Sequence, residues 1–320
     1  SIHGFGARTA NGKLPRDDTV MRIGSITKAF TGQVLAALVA NNTVSLTQRL
    51  GTLSHDLGLG KDPNIASIRL IDLVTHSAGL PRELPRSPGP TNDPFQTITR
   101  KAMGNWLRQN SLLYHPGTGV LYSNFAFDLL ALGLSDAAKI PYPDLLKTHL
   151  TGPLGLTDTG FTLSDDQKAR LMLGHNFDGK QLRDVPTGDL IVGSGGLYST
   201  PNDLLRWMEW HLDRLGHKDT ETRLLDHAAY LYRDNLNPVS GMNESGRMDA
   251  MGLGWVIMMA QGDRPLILQK AGGLQGVFTY IAFAPARDIA VFVAINQFDF
   301  SAAMNMATVV NDMIATLAPR

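Results

Sequence analysis

Ser25-Ile26-Thr27-Lys28 places a hydroxyl and an amine three residues apart at the start of an apolar stretch with helical spacing. Positions i and i+3 lie on one face of a helix, so the Lys28 amine can reach the Ser25 hydroxyl. A serine hydroxyl is a weak nucleophile, and a lysine can act as its base if burial or nearby cations lower the lysine pKa. The spacing therefore indicates nucleophilic catalysis, whereas a capping serine followed by a surface lysine is the structural alternative.

Tyr122-Ser123-Asn124 stands at the entry to a second amphipathic stretch. A phenol near ammonium groups can pass a proton to a leaving group, and the Asn124 amide can hold both a substrate carbonyl and a lysine. Ser123 or Asn124 can also cap the following helix. The two interpretations are compatible.

Lys270-Ala271-Gly272-Gly273 follows a short apolar run with strand character. Glycines on a strand edge let the backbone of a substrate approach and pair as an extra strand. The lysine would supply positive charge for a carboxylate and for the tyrosine. A glycine-rich hairpin or bulge with a solvated lysine is the alternative.

Hydrophobic periodicity predicts the elements that must position these residues. A buried central helix begins at Ser25 and ends at Asn41-Asn42. Further helices are predicted over residues 125–138, 201–215 (capped by Ser199-Thr200) and 301–317. Short β-rich runs at 254–260, 266–269, 277–283 and 289–295 predict an antiparallel meander, and residues 1–22 predict a strand, a turn at Asn11-Gly12 and a second strand.

Strands at both ends of the chain with helices between them predict an α+β fold. We expect residues 1–32 and 188–320 to form a discontinuous sheet domain and residues 33–187 a mainly helical domain. The active site would lie in the cleft between them.

Each of the three motifs occurs once, in the order Ser-x-x-Lys, Tyr-x-Asn, Lys-x-Gly. In this the sequence resembles the serine β-lactamase and penicillin-binding protein superfamily on its class C side, and most closely AmpH-type D-alanyl-D-alanine carboxypeptidase/endopeptidases. The resemblance runs nearly the whole length. Its supporting stretches are residues 22–30, 73–83 (LVTHSAGLPRE), 122–131, 193–201, 251–256 and 269–273.

The resemblance implies a β-lactamase/transpeptidase-like fold and a role for each motif residue. Ser25 would be acylated, Lys28 would take its proton, and Tyr122 would help to protonate the leaving amine. Asn124 and the 270–273 segment (Lys270, Ala271, Gly272, Gly273) would bind substrate, with Lys270 supplying charge. The backbone N–H groups of Ser25 and Gly273 would form the oxyanion hole.

Two features depart from the family pattern. The third motif usually has threonine where this chain has Ala271, which removes a hydroxyl that would help to hold a substrate carboxylate. The chain also opens at what resembles the second strand of the family fold, without the usual first helix and strand.

Composition excludes several other classes of function. With 29 basic and 29 acidic residues there is no net field to draw the chain onto nucleic acid or anionic lipid, and no run is long enough to span a membrane. The nine histidines show no ligand spacing, His76 and His115 are interpreted as structural, and no nucleotide-binding loop is present, so we expect neither metal nor cofactor. No obligate protein partner is indicated.

The sequence thus predicts a serine hydrolase that acts by two-step acyl transfer on D-alanyl-D-alanine peptides of peptidoglycan and is acylated by β-lactams. The expected location is the periplasm, with the export signal not in this chain. The alternatives are a class C-like β-lactamase proper, a family VIII-type carboxylesterase on the same fold, and a non-catalytic module that binds wall peptides.

Overall fold

A computed structural model of the protein describes residues 1–8, 12–57 and 62–320. The α-helices are α1 (Thr27–Ala40), α2 (Leu50–Leu53), α3 (Pro63–Ser67), α4 (Leu70–Val74), α5 (Arg100–Gln109), α6 (Asn124–Ala138), α7 (Tyr142–Leu146), α8 (Gly152–Leu154), α9 (Asp165–Ala169), α10 (Pro201–Leu212), α11 (Thr220–His227) and α12 (Phe300–Leu317). The strands are β1 (Met21–Arg22), β2 (Val120–Leu121), β3 (Tyr198–Ser199), β4 (Leu231–Tyr232), β5 (Val239–Ser240), β6 (Ala250–Met251), β7 (Val256–Met258), β8 (Ile267–Leu274), β9 (Val277–Ala284) and β10 (Ile289–Ile295).

The main sheet has six antiparallel strands in the order β10-β9-β8-β7-β6-β4. The predicted meander is therefore confirmed, since β7 to β10 follow one another in sequence and in space. One difference concerns β8, which continues through the glycines to Leu274 instead of ending at Gln269. It does so because β9 pairs with it residue by residue along that length.

The sheet separates two layers of core. Side chains of a strand alternate between the faces of a sheet, and β9 shows the alternation. Tyr280 and Ala282 pack against α12, whereas Ile281 and Phe283 belong to the large cluster that includes α1. The prediction of α12 is confirmed; its first turn is capped by Asp299, which accepts a hydrogen bond from the Ala302 N–H at 2.9 Å.

Helix α1 is the central element of the molecule, as predicted. Eleven of its fourteen residues are buried, which is typical of a helix enclosed by protein on most sides. Gly32 allows this enclosure, because a Cβ at that position would lie 1.8 Å from the Leu253 carbonyl oxygen. The segment that leads into β7 therefore rests directly on the helix backbone.

The opening segment does not follow the prediction. Residues 1–8 and 12–19 form no strand, Asn11 of the predicted turn lies outside the described residues, and β1 pairs with β3 in a separate two-stranded sheet. The predicted sheet with strands from both termini is therefore wrong for the main sheet. The physical reason is that this segment has no apolar face to bury: Phe5 is 84% exposed and Leu14 is 60% exposed.

The region between α2 and α9 consists of short helices and loops, as expected for the helical domain. The expected division after residue 32 falls within α1, so this helix would be shared by both parts. We retain the two-domain division as a proposal. Among the described residues, no helix combines the length and the apolar character that a membrane crossing requires.

We predict that Gly32→Ala destabilises the protein despite the higher helix propensity of alanine. The methyl group would displace the Leu253 carbonyl, and such overpacking costs about 1–3 kcal/mol, which lowers the melting temperature by several degrees. Gly160→Ala is the matched control, because no atom lies within 4 Å of its added Cβ. Equal melting temperatures for the two variants would contradict the close contact.

Candidate active site

Ser25 and Lys28 meet where α1 begins. Ser25 lies in a short 3₁₀ turn, Gly24–Ile26, which continues into the first turn of α1. The Lys28 Nζ lies 3.1 Å from the Ser25 Oγ. Ser25 is partly exposed, whereas the Lys28 side chain is completely buried. A reactive hydroxyl thus faces solvent with an amine behind it.

Two carbonyl oxygens hold the Lys28 amine. The Nζ donates hydrogen bonds to Asn124 Oδ1 at 2.5 Å and to the Ser194 carbonyl at 2.7 Å. Burial lowers the pKa of Lys28 to about 7, and the Arg82 charge acts in the same direction, against the carboxylates of Asp128 and Glu83. A neutral amine has two N–H bonds and one lone pair. With both N–H groups donated to the carbonyls, the lone pair is left for the Ser25 proton.

Tyr122 approaches the same hydroxyl from the other side. It follows β2, and its Oη donates a hydrogen bond to the Ser25 Oγ at 2.6 Å. Its ring centroid lies 4.8 Å from the Lys28 Nζ and 5.0 Å from the Lys270 Nζ. The structure therefore places the phenol beside both lysine side chains.

Ser123 and Asn124 divide the two roles proposed for them. Ser123 caps α6, because its Oγ accepts a hydrogen bond from the Ala126 N–H at 3.0 Å. Asn124 is the first residue of α6, and its side chain points to Lys28 on one side and donates to Glu83 Oε1 at 2.5 Å on the other. The helix cap thereby fixes the direction of the amide.

The glycines of β8 touch the backbone that carries the nucleophile. A Cβ at Gly272 would lie 2.1 Å from the Ile23 carbonyl and 3.1 Å from the Ser25 N, and a Cβ at Gly24 would lie 2.6 Å from the Gly273 N. Only residues without side chains permit this approach. The amide nitrogens of Ser25 and Gly273 are thus brought into one small region, as an oxyanion hole requires.

The second half of β8 also has an open edge within the described chain. β7 pairs only with the first residues of β8, up to Gln269, while β9 covers the other edge along the full length. Lys270 pairs with Ile281 and lies on the α1 face, and burial lowers its pKa. Ala271 pairs with Tyr280, so its methyl group lies on the α12 face, away from Lys270.

Ser25 stands between two cavities. One of about 460 Å³ is lined by Glu83, Asn124 and Gly273, and another of about 430 Å³ is lined by Arg82, Tyr122 and Lys270. A substrate bound across the Ser25 hydroxyl would extend into both. A larger cavity of about 1510 Å³ is lined by Asp128 but not by Ser25.

Sequence reasoning missed several residues of the site. Arg82 and Glu83 come from a loop, and Asp128 lies one helical turn after Asn124, a spacing that could have indicated it. Asp128 accepts a hydrogen bond from the Ser194 N–H at 3.0 Å, and burial raises its pKa. The Nδ1 of His76 accepts a hydrogen bond from the Ser123 N–H at 3.0 Å, whereas its buried Nε2 has no partner among the described residues.

Comparison with known proteins agrees with this geometry. The family model described as "Beta-lactamase" matches residues 2–311. The chain belongs to the β-lactamase family. This β-lactamase-family protein is accordingly a serine hydrolase.

The chain is similar in sequence and structure to several individual members of the β-lactamase family. It is 35% identical over 314 residues to the D-alanyl-D-alanine-carboxypeptidase/endopeptidase AmpH of Escherichia coli K12, covering 97% of this chain and 80% of AmpH. It is also similar to a β-lactamase/D-alanine carboxypeptidase from Yersinia pestis, whose crystal structure was determined in complex with citrate. The sequences are 36% identical, and the structures match with a TM-score of 0.86 over 98% of this chain and 88% of that one. A Pseudomonas syringae structure of the same description, 21% identical with a TM-score of 0.77, covers 96% of this chain and 88% of its own and shares the fold. The resemblance and the α+β fold class are thus confirmed.

We predict that removing either charge beside Lys28 moves its pKa in a known direction. Glu83→Gln removes a charge that raises the Lys28 pKa and should lower it by roughly half a pH unit; Arg82→Gln should raise it by a similar amount. NMR titration of the labelled Lys28 side chain would measure both. Arg287→Gln, which alters an exposed arginine in the turn between β9 and β10, is the control, with no change expected. Shifts of the same sign in the two variants would contradict this electrostatic arrangement.

Proposed function

We propose that the protein is an acyl-transfer hydrolase of D-alanyl-D-alanine peptides, with Ser25 as nucleophile, and that β-lactams acylate the same residue. One observation carries the proposal: a buried amine with a pKa of about 7 lies 3.1 Å from an accessible serine hydroxyl. Burial thus favours the neutral amine, which is the form that a general base requires.

The first half-reaction forms the acyl-enzyme. Lys28 accepts the hydroxyl proton as the Ser25 Oγ attacks the substrate carbonyl, and the negative charge on the carbonyl oxygen is stabilised by the N–H groups of Ser25 and Gly273. The amide C–N bond then breaks, and the leaving nitrogen receives a proton from Tyr122, whose Oη lies 2.6 Å from the Oγ. Lys28 returns a proton to Tyr122, so the protons balance.

The second half-reaction needs an activated water. No separate deacylating glutamate is recognisable in the sequence, so Tyr122 with Lys28 would take the proton from the water as well. The rate of this step decides whether β-lactams inhibit the enzyme or are its substrates. A slow step makes the protein a penicillin target, and a fast one makes it a β-lactamase.

The preferred substrate class is peptidoglycan stem peptides, and the site of action is the periplasm. The names of the Escherichia coli and Yersinia pestis relatives support the peptide substrate. The cavity beside Tyr122 also fits a peptide that ends in a carboxylate, since Arg82 and Lys270 both lie within 5.0 Å of the Tyr122 ring centroid. These two cations would bind the terminal carboxylate without help from residue 271.

A carboxylesterase on the same fold is the second candidate. It is favoured by Ala271, which offers no hydroxyl to a substrate carboxylate and whose methyl group lies on the α12 face. The non-catalytic binding module has less support, because it gives no reason for a buried amine to be aligned on an exposed hydroxyl.

We predict that a penicillin forms a covalent adduct on Ser25. Intact-mass analysis after exposure should show one added penicillin per chain, and Ser25→Ala should show none. The same variant should lose hydrolysis of a D-alanyl-D-alanine peptide by about 10⁴-fold or more, as expected for loss of a nucleophile.

The pattern of outcomes separates the candidates. A stable adduct with peptide turnover supports the peptidase, and ring hydrolysis without an adduct indicates a β-lactamase. Turnover of p-nitrophenyl esters with neither adduct nor peptide turnover would favour the esterase. Full activity of Ser25→Ala would contradict the mechanism.

We also predict that Arg82→Gln weakens recognition of a free C-terminal carboxylate. Loss of one charged contact should lower kcat/KM for the D-alanyl-D-alanine acid by about tenfold or more, while the corresponding C-terminal amide keeps its value. Assays at pH 9, where Lys28 is neutral in either form, remove the effect of its altered pKa. Arg287→Gln is the matched control. Equal losses on acid and amide would show that Arg82 does not bind the carboxylate.

A further inference from the structure

Three side chains that bind metals meet in the core, away from Ser25. His211 lies in the last turn of α10, and Asp226 and His227 end α11. His211 and Asp226 are completely buried, and the His227 side chain is 15% exposed. We call these three residues the His-Asp-His cluster. Sequence spacing could not indicate it, because the two helices bring together residues 15 positions apart.

The ligand atoms of the cluster form a small triangle. His211 Nδ1 lies 2.9 Å from His227 Nε2, and Asp226 Oδ2 lies 3.6 Å from the first and 3.9 Å from the second. The point equidistant from three atoms so arranged is about 2.0 Å from each, which is the length of a Zn–N or Zn–O bond. The three atoms therefore already have the separations of ligands around one zinc ion.

A hydrogen bond between His211 Nδ1 and His227 Nε2 at 2.9 Å accounts for one side of the triangle, but it does not account for the position of Asp226. An imidazole N–H that donates to a carboxylate lies about 2.7–2.9 Å from the oxygen, whereas both histidines are 3.6 Å or more from Asp226 Oδ2. Asp226 has one donor, the Trp255 Nε1–H at 2.9 Å, and its Oδ1 is buried without a partner. A buried carboxylate with a single hydrogen bond is costly unless it is protonated or a cation compensates it.

The cluster lies among aromatic side chains. The rings of Trp210, Trp255 and Phe283 enclose His211, so the site is dry except on the His227 side.

We propose that His211, Asp226 and His227 bind a Zn²⁺ ion through Nδ1, Oδ2 and Nε2. Nitrogen and carboxylate ligands in an enclosed site of low coordination number suit zinc, with one water at the partly exposed His227 side as the fourth ligand. An iron site of the same ligand types needs several open positions. The enclosing rings do not provide them.

The ion would fasten α10 and α11 to the start of β7. Asp226 holds the Trp255 indole, and the preceding Gly254 lies so close to α1 that a Cβ there would be 2.5 Å from the Lys28 carbonyl oxygen. The proposed role is to stabilise this contact between the helices and the sheet. It does not depend on the reaction at Ser25.

Metal analysis of the purified protein tests the proposal. After equilibration with Zn²⁺ and removal of free ions, we expect about one zinc per chain by mass spectrometry, and a melting temperature that falls on chelation and recovers when Zn²⁺ is added back. His227→Gln, which alters the partly exposed ligand, should lose both effects. His217→Gln, an exposed histidine of the neighbouring loop, should retain them.

A second measurement covers the case in which His227→Gln does not fold. Co²⁺ bound to the wild-type chain should give the intense visible absorption of a four-coordinate site, and one equivalent of Zn²⁺ should abolish it. Zinc below a tenth of an equivalent together with an unchanged melting temperature would overturn the proposal, as would full zinc content in a folded His227→Gln variant. Because no hydrolysis is measured, the result is independent of the proposed function.

Discussion

The position of the Lys28 amine is the constraint on which the site depends. A buried ammonium group is unstable unless it is paired with an anion or loses its proton. Here the amine donates hydrogen bonds to two uncharged carbonyl oxygens. They come from α6 and from the turn at Ser194, while the amine itself belongs to α1. Three distant segments must therefore be correctly packed before the amine can serve Ser25.

This requirement explains why glycines cluster around α1. Gly254 and Gly272 have no side chain, so their backbone lies in direct contact with the backbone of the segment that carries Ser25 and Lys28. Larger residues at these two positions would push the helix away from the sheet. The hydrogen bonds of the site would then be too long. Close packing of backbone against backbone is thus part of the chemistry, because it sets the distance between nucleophile and strand.

The relative positions of the side chains within each of the three motifs could be predicted from the sequence because each motif is local. Neighbouring residues in a helical turn or a strand have a fixed spacing. The sequence also predicted the meander and α1 from their periodicity. Arg82 and Glu83 could not be foreseen, since a loop brings them to the site, and the His-Asp-His cluster depends on how two helices pack. Among the described residues of 1–22, the strand pattern is realised only at Met21–Arg22, where β3 supplies a partner, because a local pattern does not specify a pairing partner.

The two cavities on either side of Ser25 have a consequence for the order of events. In the proposed reaction, the leaving amine would occupy the cavity beside Lys270 once the amide bond breaks, and the acyl group would stay attached in the cavity beside Asn124. The first product can then diffuse out while the second is still attached. The vacated space lies next to the Tyr122 hydroxyl, so the departing fragment clears the route by which solvent reaches the ester.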